Sequence, residues 1–204
     1  MRPQDVSLPE LSLRRSMKWR RYDPDVLPLH VAETDLPTAE PIRAVLAEMV
    51  ERGDFGYPVP GDLPEVYADF ATWRYGQRVD PADVHVVGDV SQGIYVALRL
   101  LLQPGDGVVI CPPVYYPFFS TIPAAGCRAV QVPLRRDGGR YELDLSGLEA
   151  AFAGGARAFL LCSPHNPVGR LWSAADLTAV ADLADRYDVL VVADEIHAPL
   201  TYDG

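Results

Sequence analysis

The sequence predicts an α/β fold: a mainly parallel sheet with helices on both faces, preceded by an N-terminal arm. Three observations predict it. From Asp80-Pro81 onward, short apolar runs alternate with longer stretches of helical periodicity, the order that builds parallel sheets with right-handed crossovers. Two of the runs stop abruptly at polar residues: Leu160-Leu161-Cys162 before Ser163-Pro164-His165-Asn166-Pro167-Val168-Gly169-Arg170, and Val191-Val192-Ala193 before Asp194-Glu195-Ile196-His197. A composition of 49% hydrophobic and 23% charged residues over 204 positions suits a globular chain long enough to bury a core.

Residues 1–37 are rich in Arg, Asp and Pro and form an arm followed by an extended segment. With Thr38 as cap and Pro41 in the first turn, Ile42, Val45, Leu46, Met49 and Val50 repeat at helical spacing until Gly53 ends the run. Residues 54–61 make a loop. Asp62-Leu63-Pro64-Glu65 has the form of a capping box and opens a helix with Val66, Phe70 and Trp73 near one face. The implied division is residues 1–50 for the arm, extended segment and first helix, and 51–204 for the α/β domain.

In that domain Val84–Val87 is a short strand, and Ser91-Gln92-Gly93 leads into a helix with Ile94, Ala97, Leu98, Leu101 and Leu102 facing inward. Val108–Cys111 is the next strand, ending in Pro112-Pro113-Val114-Tyr115-Tyr116-Pro117 and followed by a short helix to about Ala125. Arg128–Leu134 is a third strand, Asp137-Gly138-Gly139 a turn and Leu145–Phe152 a helix. Ala158–Cys162 and Val189–Ala193 are the fourth and fifth strands, with a helix over Ala174–Tyr187 between them. There is no internal repeat and no low-complexity segment.

The composition also narrows the partners. A formal net charge of −10 argues against a nucleic-acid surface, which needs clustered Lys and Arg to neutralise phosphates. One basic cluster, Arg14, Arg15, Lys18, Arg20 and Arg21, has no aromatic platform beside it and is expected to be a solvated arm. Residues 1–40 hold no helix-turn-helix pattern, which counts against the sensor domain of a transcription regulator. No run approaches the length of a membrane span, and the first 30 residues lack the apolar stretch of a signal peptide. Cys111, Cys127 and Cys162 form no C-x-x-C pair and are expected to be buried thiols in a reducing compartment, the cytoplasm.

In an open parallel sheet, ligands bind at the carboxyl ends of the strands, so the polar residues there are placed together by the fold. Ser91-Gln92-Gly93 puts small and polar residues at a helix start, where free N–H groups favour a phosphate, although a plain helix start explains it equally well. Neither phosphate-loop pattern, G-x-G-x-x-G nor G-x-x-x-x-G-K-[ST], is present. Tyr115, close to prolines on either side, offers a flat face, or is an ordinary core aromatic. Asn166, between Pro164 and Pro167, offers an amide donor from a rigid turn, or is the Asx residue before proline of a plain turn. Asp194 ends an apolar run, faces desolvation and needs a cationic partner, either a ligand or a structural ion pair. A metal site from His165, Asp194 and His197 ranks low, because no His pair has zinc-protease spacing. Together a phosphate cradle, an aromatic plate, an amide and a buried carboxylate describe a site for a flat, phosphorylated, cationic heterocycle, which is pyridoxal 5′-phosphate.

At these residues the sequence resembles a known family, the fold-type I pyridoxal-phosphate enzymes of aminotransferase class I/II, and within it the cystathionine β-lyase (carbon–sulfur lyase) branch. The resemblance rests on Pro113-Val114-Tyr115-Tyr116-Pro117-Phe118-Phe119, on residues 162–170, on Asp194-Glu195-Ile196-His197, and on Leu27-Pro28-Leu29 and Gly56-Tyr57. It implies that Asp194 keeps the cofactor's ring nitrogen protonated, Tyr115 stacks on the ring, Asn166 donates to the ring's 3-oxygen and His197 sits beside it. It further implies that Gln92, Gly93 and Ile94 supply backbone donors to the phosphate, that Tyr57 reaches a neighbouring subunit's phosphate in a homodimer, and that cis bonds precede Pro113 and Pro167. The implied substrate is a small amino acid. No metal is implied.

The resemblance also has limits. The family's Schiff-base lysine lies beyond the Asp-Glu-Ile-His element, whereas the only lysine here is Lys18. Residues 32–36 read Ala-Glu-Thr-Asp-Leu where the branch is closer to Ala-Asp-Met-Asp-Phe. The expectation is an N-terminal half of such an enzyme, its cofactor domain cut before the lysine and inactive alone. The alternatives are a class I/II aminotransferase and a non-catalytic domain that binds the cofactor reversibly.

Overall fold

The computed structural model describes residues 6–202, so residues 1–5 of the expected arm lie outside the described part. Two compact units divide the chain, Met1–Val59 and Pro60–Gly204, and the loop over residues 54–59 clusters with the first.

In the first unit, helices α1 (Leu8–Leu11) and α2 (Met17–Arg20) precede α3 (Glu40–Arg52). The expected cap Thr38 gives way to Ala39, Pro41 stands in the first turn, and Gly53 closes the helix at a left-handed φ of 66° that only glycine adopts without strain. The predicted apolar stripe of α3 is present, but Ile42, Val45, Leu46 and Val50 are each more than half exposed. The basic arm is less solvated than expected. Lys18 is buried at 7% exposure, its Nζ donating to Asp35 Oδ2 at 2.7 Å and Glu33 O at 2.8 Å, while Trp19 Nε1 donates to Asp35 Oδ1 at 3.0 Å. A lysine without these acceptors would face an uncompensated desolvation cost, so the clasp fixes residues 16–19 against 33–35.

The Lys18 hydrogen bond, outweighing the opposing desolvation, holds the Asp35 carboxyl below the usual carboxylate range. Its contribution to stability is therefore present above the unfolded value of about 3.9 and is lost as pH falls through the lower folded value. Thermal unfolding followed at Trp19 is expected to lose an acid-range increment in Asp35→Asn, and unchanged pH dependence would contradict the clasp.

The second unit opens with α4 (Leu63–Tyr75). Asp62 makes no side-chain cap there, so the expected capping box does not form. The helix buries Ala68 and Ala71, not the predicted face, since Val66 and Trp73 are exposed. Val84–Val87 pairs with nothing among the described residues, so it is no strand. An apolar run of that length needs a ladder partner as well as the right residues.

Then come α5 (Val90–Leu101), β1 (Gly107–Ile110), α6 (Phe118–Ala124), β2 (Arg128–Gln131), β3 (Arg135–Asp137), β4 (Arg140–Glu142), α7 (Leu145–Ala153), β5 (Ala156–Cys162), α8 (Ala174–Arg186) and β6 (Leu190–Asp194). β2-β1-β5-β6 form a parallel sheet in that order. The third predicted strand stops at Gln131, and its remainder passes into the unforeseen hairpin β3–β4, whose turn puts Gly138 and Gly139 at φ 53° and 87°.

Strand alternation splits the core between two faces. Val109, Phe159 and Leu161 meet Leu148 and Phe152 of α7 and Val180 and Leu183 of α8. Val108, Ile110, Ala158 and Leu160 meet Ile94 and Leu98 of α5 and Phe118 and Ile122 of α6. Helices thus cover both faces, as the continuous apolar runs required. Leu101, expected inside, is exposed, and β6 is half-exposed because it forms the sheet edge among the described residues.

Ser173 caps α8 reciprocally: Asp176 N–H donates to Ser173 Oγ at 3.1 Å, while Ser173 N–H and Oγ donate to Asp176 Oδ2. Ser173→Ala is expected to cost about 1 kcal/mol in denaturant unfolding. A change below a few tenths would show the cap to be idle.

Candidate functional site

In a parallel sheet every strand points its carboxyl end the same way, so the segments after Ile110, Cys162 and Asp194 emerge on one edge. Cys162 and Asp194 are paired in register, which puts them at one level. Helix α5 leads into β1, so its N-terminus lies at the same edge, and it packs against α6 and β6.

Hydrogen bonds stitch these segments together. Ser163 N–H donates to Asp194 O at 3.0 Å, joining the loop after β5 to the end of β6. His165 Nε2 lies 3.0 Å from Pro113 O, joining that loop to the one after β1. Inside the β5 loop, Asn166 N–H donates to Cys162 Sγ at 3.4 Å, His165 N–H to Arg170 O at 2.7 Å and Trp172 Nε1 to Cys162 O at 3.0 Å. The peptide bonds before Pro113 and Pro167 are cis, and so is the one before Pro164.

Asp194 is 5% exposed, and no Lys, Arg or His among the described residues pairs with it. Its Oδ1 accepts from Ile196 N–H at 3.2 Å. Asp194 thus has a backbone donor and no fixed cationic partner among the described residues. Asn166 and His197 line one cavity of about 470 Å³ together with His165, Leu171 and Tyr202. Tyr115 is half-buried, packed edge-on against Phe118 with centroids 5.7 Å apart, and does not line that cavity; neither does Asp194. Tyr57 belongs to the first unit and is fully exposed.

At the start of α5 the structure moves the free donors. Asp89 is the cap: its Oδ1 accepts from Gln92 N–H at 2.8 Å and its carbonyl from Gly93 N–H at 3.0 Å. The Gln92 side chain turns back to accept from Gly88 N–H at 2.9 Å, and Ile94 is buried on the inner face. In the first turn of α5 the backbone donors without a partner among the described residues are those of Val90 and Ser91, ahead of the expected Gln92, Gly93 and Ile94. Sequence reasoning missed this because it began the helix at Ser91. Asp89, an Asx residue just ahead of the periodic run, was the available signal.

His165, weighed only as a metal ligand, is 2% exposed, and burial pushes its pKa down, keeping the ring neutral. Burial likewise pushes the Cys111 thiol up to about 12 and the Cys162 thiol up to about 11, so neither is a thiolate nucleophile. Among the described residues no group of three or more His, Cys, Asp or Glu is placed to hold a metal ion.

Residues 24–204 match the family model described as aminotransferase class I and II. The chain belongs to this family. A putative cystathionine beta-lyase of Mycobacterium leprae is 40% identical over 98% of this chain and 52% of its own length. The cystathionine beta-lyase of Corynebacterium glutamicum is 38% identical over 97% of this chain and 52% of its own. Among solved structures, a putative PLP-dependent beta-cystathionase from Corynebacterium diphtheriae superimposes with a TM-score of 0.89 at 36% identity, over 99% of this chain and 52% of that one. The chain thus spans about half the length of the relatives it matches.

Proposed function

We propose that this is the cofactor-binding part of a pyridoxal 5′-phosphate-dependent carbon–sulfur β-lyase, which releases a thiol, pyruvate and ammonia from cystathionine or a related cysteine S-conjugate. The observation that carries the reading is Asp194, a buried carboxylate with no cation among the described residues, at the strand end on the sheet edge where the N-terminus of α5 also lies. A protonated pyridine ring with a phosphate arm fits both features, and likeness to cystathionine beta-lyases supports the choice. When bound, the cofactor supplies an electron sink at the substrate's Cα.

This chain's residues do the holding. Asp194 keeps the proton on the ring nitrogen, since an adjacent carboxylate favours the charged form. Tyr115 would offer its ring face and Asn166 its amide to the ring's 3-oxygen, and His197 lines the same cavity as Asn166. Val90 and Ser91 N–H groups receive the phosphate, in a turn shaped by Gln92, Gly93 and Ile94. Lys18, the sole lysine, donates to Asp35 and Glu33 in the first unit and is no free amine, so this chain binds the cofactor without a covalent link. Tyr57, fully exposed, is available to a second subunit's phosphate in a homodimer. The three buried free thiols suit a cytoplasmic protein.

Cystathionine turnover by the whole protein tests the reaction: pyruvate release is expected. Amino-group transfer to a keto acid without pyruvate release would favour the aminotransferase reading, which the family also accommodates.

A further inference from the structure

One side chain joins the loops that carry Tyr115 and Asn166. His165 leaves the β5 loop, next to Asn166, and its Nε2 lies 3.0 Å from the carbonyl of Pro113, two residues before Tyr115. A carbonyl oxygen only accepts, so Nε2 carries the proton and Nδ1 is bare. The ring is held edge-on to Trp172, centroids 5.3 Å apart, and Trp172 is anchored through Nε1 to Cys162 O. Nδ1 is buried with no hydrogen-bond partner, an unmet polar group that an apolar side chain would avoid. Packing alone therefore does not account for a histidine here, whereas the Nε2 bridge does.

We propose that His165 is a positioning residue, which sets the spacing between the aromatic plate Tyr115 and the amide Asn166 through its Nε2–H bond to Pro113. The proposal rests on the cofactor reading above for its consequence and on geometry for its mechanism. The ring works in its neutral form. Its surroundings supply no counter-charge for a second proton: no carboxylate among the described residues pairs with it, backbone carbonyls face it, and the Arg170 guanidinium, over the Trp172 ring at 5.7 Å, is of the wrong sign. Asp194, in register with Cys162, is engaged with Ile196 N–H.

Two amides separate the roles of the ring nitrogens. In His165→Gln the terminal NH₂ sits where Nε2 was and keeps a donor for Pro113; in His165→Asn the NH₂ sits where Nδ1 was and does not; His165→Leu removes both. NMR of the cofactor-free 204-residue chain is expected to show the Tyr115 backbone and Asn166 side-chain amide signals shifted together in the Asn and Leu variants and restored in the Gln variant. Titration with pyridoxal 5′-phosphate, below every variant's melting range, is expected to show affinity lost about tenfold in Asn and Leu and kept within about threefold in Gln. Tyr115 signals that do not move in His165→Leu, or affinities that follow melting temperature and not the Nε2 donor, would overturn the proposal. Coupled signal shifts without cofactor binding by any variant would support the bridge and overturn the cofactor reading.

Discussion

Asp194→Asn is expected to keep stability and to weaken cofactor binding. The asparagine oxygen still accepts from Ile196 N–H, so the one hydrogen bond that Asp194 makes survives. What disappears is a buried charge with no cation among the described residues. The cofactor-free chain is therefore expected to unfold at a denaturant midpoint no lower than the parent's, since no hydrogen bond is lost. Pyridoxal 5′-phosphate, whose ring cation would supply the missing partner, is expected to bind about 100-fold more weakly. A structural carboxylate predicts the reverse, a loss of stability with little effect on affinity.

Phe159→Ala is expected to have the largest effect on the fold. Phe159 is 1% exposed at the middle of β5, the strand between β1 and β6, and packs its ring against Phe152 at 6.1 Å between centroids. Removing it opens a cavity that a sheet braced by helices on both faces cannot close, at about 3–5 kcal/mol. That is a large share of the roughly 5–15 kcal/mol that holds a domain together. The same strand delivers Asn166 to the edge, so the variant is expected to lose cofactor binding with cooperative structure, visible as a melting transition lowered or absent. Melting within about a degree of the parent's would place Phe159 outside the core.

The strands of the central sheet were legible because parallel strands write themselves as continuous apolar runs that stop at polar residues, as the buried β5 and the edge strand β6 both do. Asn166 and Asp194 were legible for the same reason, since strand ends of a parallel sheet share an edge. What was not legible depended on partners. Val84–Val87 has strand residues without a neighbouring strand among those described, and the apolar faces of α3 and α4 have helical spacing with nothing covering them within their own units. Lys18 looked solvated because its acceptors, Glu33 and Asp35, lie 15 and 17 positions away. The free N–H groups at the start of α5 precede Gln92 because a cap decides which N–H groups stay free, and the capping side chain of Asp89 was passed over.

The account stands on one place of binding, the carboxyl edge of the central sheet. Mapping pyridoxal 5′-phosphate onto the ¹⁵N-labelled chain tests it most directly. The expected result is saturable perturbation at Val90 and Ser91, Tyr115, Asn166 and Asp194, with Lys18 unmodified after borohydride treatment. Perturbation confined to the Lys18 segment, or a borohydride-fixed adduct on that lysine, would contradict it.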